Sequence, residues 1–196
     1  SRNKTFLKKA IMDCKKDRMI LKPLDSHGGR GVIVVETRAQ QNINSLLDFY
    51  IHRRQESSYV ILQEYVEGAE KGDTRVLLLN GRPVGAYRRI PAKDDMRANL
   101  DAGASAHRHI LTPQEERVCE RIRPRLLKDG LYLVGIDIIN GKLIEINVIS
   151  PGGIVKINQF NRTRIQRKVI DFAEQVIARQ KSTSSRRSVG RSIDEA

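Results

Sequence analysis

The chain has 196 residues, of which 39% are hydrophobic, and this is enough for one large domain or two small subdomains around a hydrophobic core. No apolar run approaches the roughly 20 residues of a membrane span, no secretory signal opens the chain, and two cysteines are too few for a disulfide framework, so we expect a cytoplasmic protein. The net charge of +13 indicates an anionic partner, but an aromatic content of 5% and the absence of nucleic-acid-binding motifs disfavour nucleic acid.

The first part of the chain predicts strands and helices in mixed order. Strands are predicted at 19–24, 31–36 and 59–66, and helices at 7–14 and 42–54. A hairpin is predicted at 74–90 with its turn at Asn80-Gly81, because this pair tolerates the positive φ values of tight hairpins. The next residues, 91–109, are polar and rich in Gly and Ala, and predict a long mobile loop. Loops of this length are usually functional, for instance as an active-site lid.

The second part begins with a helix whose start is marked by Thr112. Pro113 suits the first helical position, Glu115 completes a capping box with Thr112, and Gly130 ends the helix. A second hairpin with its turn at Asn140-Gly141 is predicted at 131–150, a last helix at 161–180 and a disordered tail at 181–196. This mixture of helices and hairpins predicts an α+β fold with mainly antiparallel sheets.

Three oxygen-bearing side chains stand in the otherwise apolar second hairpin, namely Asp137, Glu145 and Asn147. Glu145 and Asn147 are two residues apart, so they share one face of their strand. A carboxylate among Ile and Val is costly unless it is paired or binds a metal, and oxygen ligands of this kind suit Mg²⁺. The alternative interpretation is the solvent-facing polar side of an antiparallel sheet.

The metal hypothesis depends on the turn of this hairpin. A two-residue turn at Asn140-Gly141 would pair Asp137 with Ile144 and place Asp137 and Glu145 on opposite faces. A three-residue loop, 140–142, would pair Asp137 with Glu145 and bring all three groups to one face, and such loops are common when a glycine takes the left-handed conformation. The hypothesis therefore predicts the three-residue loop.

A lysine inside an apolar strand, Lys22, precedes a loop that contains Gly28, Gly29 and Gly31. An ammonium group beside glycines suits phosphate binding, because glycines let backbone N–H groups approach an anion closely. The loop matches neither the P-loop nor the Rossmann fingerprint, and a plain hairpin loop is the alternative. Together with a separate Mg²⁺-type cluster, it indicates a nucleotide held between two sheets.

Four segments together carry a resemblance to a known family, and they occur in its order. They are ILKPLDSHGGRGV, QEYVEGAEKGDTRVLLLNGRPV, RANLDAGASA and LVGIDIINGKLIEINVISPGGI. They closely resemble the ATP-grasp region of bacterial glutathione synthetases, and the resemblance covers residue 1 to about residue 178. It implies an α+β ATP-grasp fold whose two subdomains, 1–66 and 67–180, grip a nucleotide between mainly antiparallel sheets.

The resemblance also implies a role for each matching residue. Lys22 would contact the nucleotide, and Gly28, Gly29 and Gly31 would close over its phosphates. The backbone of Gln63, Glu64, Tyr65 and Val66 would read adenine, and Asp73 would hold the ribose. Arg75 would lie near the transferred phosphoryl group, Arg97 and Asn99 in the loop that covers the substrate, and Ser150 to Gly153 in the substrate-side turn. Asp137, Glu145 and Asn147 would bind Mg²⁺ or Mn²⁺.

The implied activity is an ATP-dependent carboxylate–amine ligase that joins γ-glutamylcysteine to glycine or a similar amine through an acyl phosphate. The family also carries an N-terminal substrate domain and an earlier phosphate-binding lysine, and we expect both to be absent from this chain. Three alternatives are therefore open: a reduced paralogue or an excised fragment of the ligase, a related peptide ligase with another substrate, and a non-catalytic nucleotide- or polyanion-binding module. A homo-oligomer is compatible with each of them.

Overall fold

The computed structural model describes residues 1–26, 28–52 and 58–191, with side chains up to Arg179 apart from that of Gln40. Contacts divide the chain into two compact units. The first comprises residues 1–74, 88–107 and 138–144, and the second comprises 75–87, 108–137 and 145–196. The predicted division into 1–66 and 67–180 stays a prediction.

The first unit contains a three-stranded antiparallel sheet with strand order β2-β1-β3. Its elements are α1 (Lys4–Met12), β1 (Arg18–Pro23), β2 (Ile33–Glu36), α2 (Ile43–Ile51) and β3 (Val60–Glu64). Leu21 of the central strand pairs with Ile33 on one side and with Leu62 on the other. The buried side chains of Leu7, Ile11, Leu21, Leu47 and Val60 belong to one hydrophobic core that joins both helices to the sheet. The strands and helices predicted here are confirmed, except that the predicted helix end at 53–54 lies outside the described residues.

A five-stranded sheet, as far as the structure describes the chain, has strand order β6-β5-β4-β7-β8. Its strands are β4 (Asp73–Leu79), β5 (Arg82–Ile90), β6 (Ser105–Arg108), β7 (Leu133–Ile139) and β8 (Lys142–Asn147). Asn80 and Gly81 both have positive φ, which confirms the predicted first turn. β6 lies within the stretch 91–109 that was predicted as a loop, so that prediction is wrong for these four residues. The strand was missed because its residues pair with β5 but lack an apolar pattern that would indicate a strand.

The remaining helices of the described chain belong to the second unit. They are α3 (Pro113–Lys128), α4 (Ile154–Asn161) and α5 (Ile165–Arg191). The disordered tail predicted at 181–196 is wrong for residues 181–191, since α5 continues through them: the segment has no proline, and Gly190 comes only at its end. The last five residues, 192–196, lie outside the described residues. No described helix is both long and apolar enough to cross a membrane.

The start of α3 has the predicted capping box. The backbone N–H of Thr112 donates to Glu115 Oε2 over 2.8 Å, and the backbone N–H of Glu115 donates to Thr112 Oγ1 over 3.3 Å. Glu115 is buried and also contacts His109, with 2.8 Å between His109 Nε2 and Glu115 Oε2. The cap therefore joins the helix to the segment that precedes it.

We expect Thr112→Ala to lower the free energy of unfolding by about 1 kcal/mol, because it removes an N-cap acceptor. Thr5→Ala is the control: Thr5 is an exposed residue in the first turn of α1, and its loss should change stability by less than about 0.5 kcal/mol. Urea denaturation of both variants measures the difference. Equal losses in the two variants would contradict a role for the Thr112 cap.

Candidate active site

The turn between β7 and β8 differs from the one that the metal hypothesis predicted. β7 ends at Ile139 and β8 begins at Lys142, so the loop has two residues and the predicted three-residue loop is wrong. Asn140 and Gly141 have φ values of 46° and 69°, and two left-handed residues form the turn that suits a two-residue hairpin. The Asn140 side chain also donates to the backbone carbonyl of Glu67 over 3.3 Å, which anchors this turn.

Asp137 and Asn147 are nevertheless close to each other. Asn147 Nδ2 lies 3.5 Å from Asp137 Oδ2. Unbroken alternation from a two-residue turn would place these side chains on opposite faces. Burial along β8 does not alternate, since Leu143 and Ile144 are both half-buried whereas the next two residues are both exposed. We infer that an irregularity in β8 brings Asn147 to the face of Asp137.

The carboxylate of Asp137 is held by Arg75. Arg75 Nε donates to Asp137 Oδ1 over 2.5 Å, and Arg75 Nη2 donates to Asp137 Oδ2 over 3.0 Å. The two side chains are 10% and 4% exposed, so the ion pair is almost fully shielded from water. Arg75 Nη1 also donates to the carbonyl of Gly152 over 3.4 Å, which links the pair to the predicted substrate-side turn, Ser150 to Gly153.

The third predicted metal ligand, Glu145, is exposed on β8, two residues before Asn147. Within the described ranges, no three His, Cys, Asp or Glu side chains stand close enough to hold a metal ion. The predicted set has two carboxylates and one amide, so this result does not test it. The set fits a hard divalent cation in chemical type, because carboxylate and amide oxygens are ligands that such cations take.

Asp73, predicted to hold the ribose, is the partner of a second buried arginine. Arg89 Nε donates to Asp73 Oδ1 over 2.6 Å and Arg89 Nη2 donates to Asp73 Oδ2 over 2.5 Å, and the side chains are 5% and 9% exposed. The adjacent Arg88 donates to the carbonyl of Lys71 over 3.1 Å. Any ligand of Asp73 would therefore share the carboxylate with Arg89.

The glycine-rich loop packs directly against the loop predicted to cover the substrate. Gly28, Gly29 and Gly31 all have positive φ, between 64° and 72°. A Cβ atom at Gly29 would lie only 2.3 Å from Asn99 Oδ1 and 3.4 Å from Arg97 Cδ. The structure thus brings together Gly29, Arg97 and Asn99, which are about 70 residues apart in the chain and which the sequence alone could not place in contact.

Arg97 is held within its own loop by Asp95. Its Nε and Nη2 atoms donate to the Asp95 carboxylate over 3.0 to 3.1 Å and 2.6 Å, and its backbone N–H donates to Asp95 Oδ1 over 2.8 Å. These hydrogen bonds from Arg97 lower the pKa of the Asp95 carboxyl to about 2. The ion pair is partly exposed, so its contribution to stability is modest.

The predicted adenine hinge, Gln63 to Val66, begins with the last two residues of β3 and continues beyond the end of this strand. Glu64 Oε2 accepts a hydrogen bond from Lys16 Nζ over 2.8 Å, which lowers the pKa of Glu64. Tyr65 is buried, and its burial raises the pKa of its hydroxyl. The Arg18 guanidinium lies 4.0 Å from the centre of the Tyr65 ring. The side chains of Glu64 and Tyr65 are therefore in contact with residues at or just before the start of β1.

Lys22 lies near the end of β1, where it pairs with Ile61 of β3 and is half-buried.

Three residues with evident structural roles were missed by sequence reasoning: Arg89, Asp95 and Arg18. Arg89 had a detectable signal, since a charged residue inside the apolar hairpin 74–90 needs a partner. The roles of Asp95 and Arg18 depend on contacts that no periodic pattern encodes.

Comparison with known proteins identifies the family. The sequence model of the family described as prokaryotic glutathione synthetase, ATP-grasp domain, matches residues 1–162. The glutathione synthetase of Thermosynechococcus vestitus is 40% identical over 151 residues, which cover 77% of this chain and 46% of that protein. That of Agrobacterium fabrum is 38% identical over 176 residues, or 87% of this chain and 54% of that protein. The chain thus spans about half the length of the curated relatives that it matches.

Solved structures confirm the predicted α+β ATP-grasp fold. A D-alanine–D-alanine ligase from Bacillus anthracis has a TM-score of 0.59 at 14% identity, covering 91% of this chain and 60% of that one. A D-cycloserine synthetase has a TM-score of 0.55 at 18% identity, covering 78% and 54%. Identities this low show the fold alone. The family match over residues 1–162, together with relatives that are 38–40% identical, establishes that the chain belongs to the family of prokaryotic glutathione synthetase ATP-grasp domains.

Proposed function

We propose that the protein is an ATP-dependent carboxylate–amine ligase of glutathione synthetase type, which joins γ-glutamylcysteine to glycine and releases ADP and phosphate. The observation that carries this proposal is the family match over residues 1–162, a range that contains every predicted site residue. The contacts of Asp137 with Arg75 and Asn147 support it, because they place a carboxylate, a guanidinium and an amide together at one buried point.

We assign nucleotide binding to the first unit. Lys22 and the glycines of residues 28–31 would bind the phosphates, the backbone of Gln63 to Val66 would read adenine, and Asp73 would hold the ribose together with its partner Arg89. Asp137, Glu145 and Asn147 would hold Mg²⁺ or Mn²⁺. This cation would neutralise phosphate charge, which phosphoryl transfer needs more than it needs a covalent protein group.

The reaction proceeds in two steps. The substrate carboxylate attacks the γ-phosphate of ATP, which gives an acyl phosphate and ADP, and the amine then displaces phosphate to form the amide. Arg75, Arg97 and Asn99 would stabilise the developing charge and orient the substrate. The segment 91–109, which includes β6, would exclude water, which would otherwise hydrolyse the acyl phosphate. The substrate-binding domain and the homo-oligomer that the resemblance allows stay predictions.

Two alternatives remain. A related peptide ligase would use the same residues with another carboxylate or amine. A non-catalytic nucleotide- or polyanion-binding module is favoured by the net charge of +13.

Release of ADP in a coupled assay tests the proposal. We expect release in the presence of Mg²⁺ and ATP only when γ-glutamylcysteine and glycine are both present, with each substrate alone and a mixture without substrate as controls. Replacement of glycine by alanine or cysteine, and of γ-glutamylcysteine by other carboxylates, identifies a related ligase. Nucleotide binding without turnover would support the non-catalytic module, and binding to polyanions that falls steeply with salt would support the polyanion role.

A further inference from the structure

We propose that Arg75 is an exchangeable counter-ion of Asp137, which occupies this carboxylate until a divalent cation displaces it. The proposal rests on the proposed function, since it assumes that Asp137 is a cation ligand. It adds a specific competition: the cation can bind fully only when Arg75 gives up its hold on Asp137.

Arg75 and Asp137 form a bidentate, buried ion pair. Arg75 uses two donors on the two oxygens of Asp137, at 2.5 and 3.0 Å, and both side chains are at least nine-tenths buried. A buried carboxylate without a counter-charge is costly. The protein without a cation therefore requires Arg75, or an equivalent positive charge, at this position.

Arg75 and a cation cannot hold Asp137 equally well at the same time. Asp137 Oδ2 already faces Arg75 Nη2 at 3.0 Å and Asn147 Nδ2 at 3.5 Å. A divalent cation bound there would place two further positive charges within a few ångströms of the guanidinium. In a site shielded from water, this repulsion is much stronger than at the surface. Cation binding must therefore weaken the Arg75–Asp137 pair.

Arg75 also has a second hydrogen-bond acceptor and lies beside two glycines. Its Nη1 atom lies 3.4 Å from the carbonyl oxygen of Gly152. The side chain also runs beside Gly135 and Gly153, where an added Cβ would be in van der Waals contact with it. Arg75 can thus retain a hydrogen bond when it leaves Asp137, and the donors that it frees become available to an anionic group such as a phosphate.

The chain offers a matched control in Arg89 and Asp73. This pair is also bidentate and buried, at 2.6 and 2.5 Å, but Asp73 is not part of the predicted cation set. Loss of the guanidinium should destabilise the protein in both cases. A cation should compensate for the loss only at Asp137.

The experiment compares Arg75→Met with Arg89→Met in the chain without nucleotide. We expect Mn²⁺ to bind Arg75→Met about tenfold or more tighter than the unsubstituted protein in calorimetry, because a competing charge is gone. We also expect Mg²⁺ to raise the melting temperature of Arg75→Met more than that of the unsubstituted protein or Arg89→Met. Equal or weaker Mn²⁺ binding by Arg75→Met would overturn the proposal.

Three further measurements separate the possible failures. If Arg75→Met does not fold, Arg75→Lys retains one charge without the two-pronged contact, and its Mn²⁺ affinity should also exceed that of the unsubstituted protein. In the unsubstituted protein, the NMR signal of the Arg75 Nε–H should be protected from exchange and lose this protection when Mg²⁺ is added. Glu145→Gln tests the underlying site: if Mn²⁺ binding is absent or insensitive to this change, the proposed metal site fails. If binding depends on Glu145 but not on Arg75, only the exchange is refuted.

Discussion

Glutamine in place of Glu145 is expected to reduce ADP release by roughly 100-fold or more, while the fold stays almost unchanged. The substitution removes one negative charge and one strong oxygen donor from the predicted cation site, and a bound metal supplies several kcal/mol of charge stabilisation in reactions of this kind. Glu145 is exposed on β8 and is not part of the hydrophobic core. The free energy of unfolding should therefore change by less than about 0.5 kcal/mol.

The measurement is the coupled ADP assay at saturating ATP, together with urea denaturation. Glu116→Gln is the control, since Glu116 is an exposed carboxylate on α3 and has no predicted role in the site. We expect it to retain full activity. Raised Mg²⁺ should partly restore the activity of Glu145→Gln if the main defect is weak metal binding. Undiminished activity in Glu145→Gln would reject its assignment as a metal ligand.

Alanine in place of Gly29 is expected to raise the KM for ATP by about 10- to 100-fold, because misplacement of a binding loop by an ångström has effects of this size. Two causes act together at this position. The φ of Gly29 is +72°, which a residue with a Cβ adopts only at a cost of roughly 1 kcal/mol. The new Cβ would also lie 2.3 Å from Asn99 Oδ1, so the Asn99 side chain, or the loop that carries it, would have to shift.

A second glycine separates the two causes. Gly130 has a φ of +70°, but nothing lies within 4 Å of an added Cβ. Gly130→Ala should therefore show the same backbone strain, about 1 kcal/mol of stability, without a change in KM. The double variant Gly29→Ala/Asn99→Ala should return the stability loss to that of Gly130→Ala, because the clash is gone. Equal KM values for Gly29→Ala and Gly130→Ala would show that the packing of Gly29 on Asn99 does not affect nucleotide binding.

Local signals in the sequence were sufficient for much of the secondary structure. The capping box of Thr112 and Glu115 and the turn at Asn80-Gly81 depend on residues within a few positions of each other, and both are confirmed. α4 was not predicted, because its stability depends on packing. Its Ile157 is fully buried and lies so close to Gly85 that an added Cβ there would be 2.2 Å from Ile157 Cγ2.

The hairpin of β7 and β8 shows where local reasoning failed. The Asn-Gly pair was correctly identified as the turn, but the loop length was chosen to bring three oxygen donors to one face. The structure has the two-residue turn, and Asn147 Nδ2 nevertheless lies 3.5 Å from Asp137 Oδ2. A break in strand alternation has no reliable signature in a single sequence, because it depends on contacts with residues that are distant along the chain.

The amino-acid sequence by itself determined the chemical inventory of this protein: a lysine and glycines suited to phosphate, two carboxylates and an amide suited to a hard cation, and motifs specific enough to indicate the ATP-grasp family. These properties depend on residue type and short spacing. The tertiary structure alone decided the partners of the charged groups. Asp137 is neutralised by Arg75, 62 residues away, Asp73 by Arg89, and Gly29 packs on Asn99. The physical reason is that a buried charge takes whichever opposite charge the fold brings within hydrogen-bonding distance, and that distance is set by strand pairing rather than by separation along the chain.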